Sequence, residues 1–436
     1  MSLRPYQRDL IARVQSAYRE GARSVLMQLP CGGGKTSTAA GGVIAPSVAR
    51  GRRVVFVADL EELIDDTAER LRALNLPVGV VKAGRAADPT APVQVCSLQT
   101  LARRAGDLPP ADRVILDEAH IAGARTVRDV LAHYRDGLVL GLSATPSRGD
   151  GQPLDEFDRI VCGPQVSELV ALGALMRPIV YAPERVLERG IARDPVDLVL
   201  SERADRRCVI FAQTGAEADR IAGDLTAAGH STIAVLTGMD RIERRGVRAR
   251  LESGEVRSLA TVRALQKGFD APMLDCAILT TLGSEVSTIQ SEGRVMRPYA
   301  GKPDPIVDDL KGATWLWGLP DDDRVWSLEG AQGRPVREPT AGLRRCASCH
   351  AVYPPATRCP RCGSIHVTDA RPLRVQRAEM FEASGLSIES RSKLYREGIE
   401  RKLLRAGKSA FVAAKIAAKA VPPWERKSAD GGGHAA

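Results

Sequence analysis

Short β-branched runs alternate with amphipathic stretches through the first 310 residues of this 436-residue chain. The runs are Ser24–Leu29, Arg53–Ala58, Val93–Ser97, Arg113–Leu116 and Leu138–Leu142, then Cys208–Ala212, Thr232–Leu236, Leu259–Val262 and Cys276–Thr280. Between them, segments such as Glu61–Leu74 and Ala216–Ala228 carry apolar residues at helical spacing. Strands separated by helices pair in parallel, because a parallel pair needs a crossover long enough to hold a helix. The runs are almost wholly apolar, as strands covered on both faces must be. The pattern breaks around Met176–Asp197, where Pro178, Pro183 and Pro195 fall, and again from Gly318 to Gly342. The expected fold is therefore α/β, in two tandem units followed by something different.

Charge and cysteines also change character near the end of the chain. Residues 341–436 hold 18 Lys and Arg against 8 Asp and Glu, whereas residues 1–340 hold 44 against 45. A basic appendage suits a polyanion, although a solvated tail has the same composition. Cys31, Cys96, Cys162, Cys208 and Cys276 are scattered, as buried free thiols of a reducing compartment would be. Cys346, Cys349, Cys359 and Cys362 instead form two CxxC hooks within seventeen residues. Four thiolates at that spacing complete tetrahedral Zn²⁺ coordination, and a segment this small needs the metal to fold. A redox role normally uses one hook. No run approaches the ~20 apolar residues of a membrane span, and MSLRPYQRDL lacks a secretory apolar core, so a cytoplasmic protein with no membrane partner is expected.

Three motifs carry the chemistry. Pro30-Cys31-Gly32-Gly33-Gly34-Lys35-Thr36 follows a strand and precedes a helical pattern. Its glycines let backbone N–H groups wrap a phosphate, Lys35 can reach the terminal phosphates, and the Thr36 hydroxyl can bind Mg²⁺. The strict GxxxxGK[ST] form would place Gly at Leu29, so the match is incomplete. Asp117-Glu118-Ala119-His120 closes a strand. There Asp117 can hold the metal and Glu118 can deprotonate an attacking water. Alone, this would be an ordinary acidic strand end. In Gln290-Ser291-Glu292-Gly293-Arg294-Val295-Met296-Arg297, two arginines three apart are expected on one helical face. From the second unit they could act as arginine fingers on a γ-phosphate, or simply make surface salt bridges.

In their order, these motifs resemble a superfamily 2 helicase or translocase of the DEAH-box type over residues 3 to about 298. The resemblance implies two RecA-like lobes, near 1–180 and 181–335, that hydrolyse ATP with Mg²⁺ between them. Arg4, Tyr6 and Gln7 resemble its adenine-reading motif, with Gln7 in the base-recognising place. Gly32, Gly33, Gly34, Lys35, Thr36 and Asp117 match its phosphate and metal positions. Gly268 and Asp270 in Lys267-Gly268-Phe269-Asp270, together with Gln290, match second-lobe nucleotide positions. Lys35, Glu118, Arg294 and Arg297 match its catalytic set, and His120, Ser143 and Thr145 its coupling residues. Ser97–Leu101 is similar to a strand-contacting segment, and Ser167–Pro178 to the crossing between lobes.

A zinc element at 341–370 and a basic helical region at 371–436, ending in a disordered tail, resemble the RadD-like bacterial repair helicases and related phage helicases. That likeness implies DNA more than RNA as the nucleic-acid partner, with single-strand-binding or repair and replication proteins as further partners. A translocase that does not unwind is the alternative. One departure stands out. After the second strand, where relatives carry basic or amide residues, this chain reads Asp59-Leu60-Glu61-Glu62 and Asp65-Asp66, which argues against strand contact there.

Overall fold

The computed structural model describes residues 3–364 except 60, 84–87, 105–107, 149, 188, 237, 238, 240, 263–270, 331–342 and 355, and beyond these 393, 396, 397, 400 and 410–419. The chain divides into one unit, Met1–His366, and a second, Val367–Ala436. In the second, the helix Ala410–Lys419 is described, inside the basic region expected to be helical.

Two sheets organise the first unit. The first contains β1 (Ser24–Gln28), β2 (Val54–Ala58), β3 (Val78–Val81), β4 (Val93–Ser97), β5 (Arg113–Leu116), β6 (Leu138–Ser143) and β7 (Arg159–Cys162). Their order is β3-β4-β2-β5-β6-β1-β7, with every pair parallel. The second contains β8 (Ile179–Tyr181), β9 (Cys208–Phe211), β10 (Thr232–Val235), β11 (Ser258–Thr261), β12 (Cys276–Leu279), β13 (Ile306–Asp309), β14 (Arg344–Arg345) and β15 (Val352–Tyr353), in the order β10-β11-β9-β12-β13-β8-β15-β14. Here β8 to β13 are parallel, while β15 pairs antiparallel with β8 and with β14. These are two RecA-like lobes.

The nine strand runs read from the sequence are all strands, within a residue or two of their observed ends. Besides the hairpin strands Arg344–Arg345 and Val352–Tyr353, four further strands are additional: Val78–Val81, Arg159–Cys162, Ile179–Tyr181 and Ile306–Asp309. They are short, and Val78–Val81 and Arg159–Cys162 form the two edges of the first sheet, where alternation is weakest. Each sheet separates two apolar layers. Phe56, Ile115 and Leu140 lie in one layer of the first lobe, and Leu26, Val55 and Leu116 in the other. Such side chains contribute roughly 1.5–3 kcal/mol each on full burial.

The cysteine segment is not a free-standing module. Its β14–β15 hairpin continues the second sheet past β8, with Val352 opposite Val180. Arg361 and Arg203 both lie over the Tyr181 ring, at 5.5 and 5.0 Å, and Arg203 forks onto Asp308 with two 2.9 Å bonds.

The lobes are joined twice. The first connection runs from Cys162 in β7 to Ile179 in β8 and packs Leu169, Ala174 and Leu175 against Met296. The second, beyond Leu319, returns to the first lobe. Ser167 donates to Asp323 from its amide and its hydroxyl, Gln165 and Arg324 exchange two bonds, and the Leu154 amide meets the Leu328 carbonyl at 2.7 Å.

Candidate nucleotide site

The strand order places β5, β6 and β1 side by side, so the chain emerging from their carboxyl ends converges. Gln28 on β1 is in register with Ser143 on β6, and the next amide, Leu29, bonds the Ser143 carbonyl at 3.1 Å. The Gln28 side chain donates to the Ala144 carbonyl at 3.2 Å, and the Thr145 amide donates to Ser143 Oγ at 3.2 Å. Ser143 and Thr145, the expected coupling pair, are therefore sewn to the root of the phosphate loop, with no exposed surface on either.

Within that loop, Gly32 and Gly34 have φ of +82° and +88°, a left-handed backbone that side-chain-bearing residues rarely adopt. Space is also closed. A Cβ on Gly34 would lie 2.7 Å from Gln7 Nε2, and one on Gly32 would lie 2.8 Å from both Arg297 Cγ and Leu175 Cδ2. The helix Pro5–Arg19 brings Tyr6 and Gln7 onto the loop, where the Tyr6 hydroxyl donates to the Gly33 carbonyl at 2.9 Å and Gln7 Nε2 at 3.4 Å. The Arg4 amide donates to Gln7 Oε1 at 2.9 Å, fixing the orientation of that amide group. Arg4 itself is exposed at the mouth of the site.

Opposite stand the carboxylates. The Asp117 amide bonds the Val57 carbonyl at the end of β2, and Asp117 Oδ1 accepts the Glu118 amide at 3.0 Å. Glu118 has φ of +48°, a backbone that costs on the order of 1–2 kcal/mol for a residue with a Cβ. Strain of this kind is held where a side chain must be aimed. Burial, followed by the Glu118 charge, pushes the Asp117 carboxyl up to about 6, with Lys35 working against the rise. Burial pulls the Lys35 ammonium down, but Glu118, Cys31 and Asp117 outweigh it and leave the group above its usual value. A divalent cation beside Asp117 would supply the positive charge that this acidic pair lacks.

The second lobe completes the site. The helix Glu285–Glu292 stops at Gly293, and Arg294 and Arg297 lie on the turn beyond it, not on the helical face expected from their spacing. Its last bonds tighten to Arg294 N–Ser291 O and Val295 N–Glu292 O, and the Met296 carbonyl is taken by the Met176 amide at 2.7 Å. The crossing segment thus pulls the chain out of the helix. Both arginines nevertheless face the phosphate loop. A cavity of ≈ 450 Å³ is walled on one side by Gly32, Lys35, Thr36, Asp117 and Glu118, and on the other by Gln290, Arg294 and Arg297.

A second cavity of ≈ 550 Å³ adjoins the seam, lined by His120 from the first lobe and by Gln213, Thr281, Ser287 and Lys311 from the second. Gln290 borders both cavities. Its Nε2 is buried with no hydrogen-bond partner among the described residues, as is Thr145 Oγ1. His120 Nδ1 lies 3.4 Å from Glu118 Oε2, so this pair too spans from one cavity to the other.

Gly268 and Asp270 lie outside the described residues. The structure adds Asp66, Thr67 and Arg70 to the nucleotide cavity, on the same acidic helix, Glu61–Arg72, whose composition argued against strand contact. Those acids are engaged: Asp65 pairs with Lys82 at 2.6 Å, and Glu69 pairs with Arg245 of the second lobe. No spacing in the sequence signals these contacts. Cys31, expected to be buried, is half-buried and borders the cavity.

The four candidate metal thiols converge. All Sγ atoms lie within 4.8 Å of one another, with Cys346–Cys362 and Cys349–Cys359 both at 3.6 Å. A tetrahedral ion with ~2.3 Å bonds to sulfur sets its ligands ~3.8 Å apart, so the donor set and its spacing fit zinc. The Ser364 hydroxyl and the Cys349 amide hold the Cys346 thiol down, at about 5. Tyr353 is 3% exposed and packs with these cysteines.

Paired RecA-like lobes, with a glycine loop and carboxylates on one and arginines on the other facing into a shared cavity, make a candidate nucleotide site. Comparison with known proteins agrees. Residues 1–148 match the family model for the res subunit of type III restriction enzymes, and residues 192–299 match the helicase conserved C-terminal domain. The chain is 23% identical over 367 residues to a 51.5 kDa protein of a Lactococcus phage, a match covering 78% of this chain and 77% of that one. It is 24% identical to the putative ATP-dependent helicase IRC3 of Saccharomyces cerevisiae, over 72% of this chain and 52% of that protein. Among solved structures, the ATP-dependent type ISP restriction-modification enzyme LlaBIII bound to DNA shares the fold at a TM-score of 0.53 and 18% identity, over 70% of this chain and 27% of the larger one. The chain is an ATP-hydrolysing enzyme of helicase type. Among the described residues no helix is long and apolar enough to cross a membrane.

Proposed function

We propose that this helicase is a DNA-directed motor of the DEAH-box type, with ATP and Mg²⁺ in the ≈ 450 Å³ cavity and a nucleic-acid backbone in the ≈ 550 Å³ cavity beside it. The carrying observation is that Gln290 borders both, with the Glu118–His120 pair linking the same two spaces. The glycine cradle, which any Cβ would fill, together with Lys35 and the two arginines, matches a polyphosphate. Arg4, Tyr6 and Gln7 flank it as the base end, and Gly268 and Asp270 are assigned to the second-lobe side. Thr36 and Asp117 hold Mg²⁺, which neutralises charge on the transferring phosphoryl group when bound.

Glu118 takes the proton of the attacking water, and Arg294 and Arg297 stabilise the charge that develops in the transition state. Because ligands come from both lobes, hydrolysis requires the seam to be closed, and product release opens it. Ser143, Thr145 and His120 transmit that change to the adjoining groove. Cys346, Cys349, Cys359 and Cys362 hold Zn²⁺ in a purely structural role. The domains we assign are 1–180, 181–335, 341–370 and 371–436, the last supplying basic charge for phosphates. A RadD-like place in repair, with single-strand-binding or replication proteins as partners in the cytoplasm, follows the same architecture.

The match to a restriction res subunit favours one second reading, translocation along duplex DNA without strand separation. ATP hydrolysis measured side by side with single-stranded, duplex and forked DNA and with RNA tests the proposal. Stimulation by forked or single-stranded DNA, with strand displacement, supports a helicase. Stimulation by duplex alone, without displacement, supports the second reading, and stimulation by RNA alone refutes both.

A further inference from the structure

The arginine turn presents a mechanical problem. Once the helix ends at Gly293, the carbonyls that follow have no helical partners, yet Arg297 must reach across the seam from this irregular backbone. Three consecutive carbonyls are nonetheless held. The middle one, Met296, accepts from the Met176 amide. Its two neighbours, Val295 and Arg297, both accept from one side chain, the Lys302 ammonium, at 2.6 and 2.8 Å. The third bond of that ammonium, at 3.0 Å, goes to the Pro272 carbonyl. A lysine has three donors and no acceptors, and here all three are spent on main chain. Lys302 is placed by its own turn, in which its amide bonds the Tyr299 carbonyl at 3.1 Å and Gly301 takes φ of +72°.

Resting on the assignment of Arg297 as a finger, we propose that Lys302 is its positioning residue: the ammonium locks the main chain of residues 295–297 and ties it to Pro272, so that the Arg297 side chain meets the phosphate loop at Gly32. Arg297 Cγ lies 2.8 Å from where a Cβ of Gly32 would stand, so a small displacement of residue 297 moves the guanidinium relative to that loop. Burial, and then the Arg297 charge beside it, pull the Lys302 ammonium down to about 7, with Asp275 opposing. An amine buried in so unfavourable a place, with two donors on the arginine turn and the third on Pro272, is consistent with a specific task there. The role is indirect, because Lys302 does not line the nucleotide cavity.

The test is a mutant cycle on the full chain. Lys302→Met keeps the length of the stem and removes the donors, Lys302→Arg restores donors, and Arg297→Ala removes the finger. A displacement on the order of 1 Å costs on the order of 100-fold in rate. Lys302→Met is therefore expected to lower kcat between about tenfold and 100-fold, with KM for ATP within about threefold. Lys302→Arg should recover a large part of that loss. In the Arg297→Ala background, followed by single-turnover hydrolysis, adding Lys302→Met should cost less than about twofold, because the group it positions is gone.

Melting curves keep the test open to failure. If Lys302→Met does not fold, Lys302→Gln, whose shorter stem and two N–H donors cannot make all three bonds, replaces it in the cycle. A kcat unchanged by the Met or Gln variant overturns the proposal. So does a loss that multiplies undiminished in the Arg297→Ala background. A wild-type turnover in Arg297→Ala alone would instead remove the finger assignment beneath it.

Discussion

Replacing Gly32 by Ala asks whether the two lobes meet in the active enzyme as they do in the structure. Two effects are combined in this substitution. The backbone, at φ +82°, costs about 1–2 kcal/mol for any residue with a Cβ. The new Cβ would also stand 2.8 Å from Arg297 Cγ and from Leu175 Cδ2, where ordinary contact begins at 3.4 Å. Each partner must retreat by at least 0.6 Å, and Arg297 carries its guanidinium with it. With a displacement approaching 1 Å worth on the order of 100-fold, and each tenfold worth 1.36 kcal/mol, the barrier should rise by about 2.7 kcal/mol.

Gly51 provides the control. Its φ is +71° and nothing lies within 4 Å of its would-be Cβ, so Gly51→Ala carries the strain without the collision. Both variants should lose a few degrees of Tm, about 2–4 °C per kcal/mol for a unit of this size. Only Gly32→Ala should lose about 100-fold in kcat. Steady-state ATPase assays and melting curves on the two proteins decide it. A Gly32→Ala enzyme turning over within threefold of wild type would mean that Arg297 does not meet the loop in the working cycle, and the closed-seam mechanism would have to be abandoned.

Three further outcomes are expected. Glu118→Gln should bind ATP normally and hydrolyse it at least 1000-fold more slowly, on the order expected when a buried base loses its function; turnover near wild type would remove Glu118 as the base. Glu292, 1% exposed and with neither carboxylate oxygen hydrogen-bonded among the described residues, has its carboxyl pushed well above the usual range by burial, with Arg324 opposing. Folded protein then holds a proton that unfolded chain releases above its ordinary 4.5, so this residue lowers stability as pH rises above that point. Glu292→Gln should match wild type in Tm at low pH and exceed it at pH ~8; a lower Tm there would mean that Glu292 is ionised against Arg324. Finally, purified protein should carry one zinc ion per chain, and Cys359→Ser should lose it together with several degrees of Tm, read by elemental analysis and calorimetry. Loss of metal without loss of stability would detach the hairpin from the integrity of the second sheet.

The acidic helix illustrates why part of the site could not be read in advance. Asp65 and Asp66 depart from what a strand-contacting segment requires, and that much is visible in the sequence. What the acids of this helix do instead depends on Lys82, which pairs with Asp65, and on Arg245, which pairs with Glu69 from 176 positions away. The cysteine segment is similar. Its metal spacing is local and legible, whereas its attachment to β8 through Val352 and Val180 is a pairing no local pattern encodes. Lys302 has no motif at all; its significance lies in three carbonyls that only the folded turn brings together.

Sequence alone determined the features whose physics is short-range: strands from β-branched runs, helices from periodicity, a phosphate loop from its glycines and lysine, and a thiolate cage from paired hooks. It also put Arg294 and Arg297 in the second lobe. Tertiary structure decided where those arginines point, because their turn is shaped by bonds to Met176 and Lys302, from outside the motif. It decided as well that one glutamine should border two cavities. Contacts between distant segments are selected by the packing of whole layers, and a property of whole layers is absent from any window of neighbouring residues.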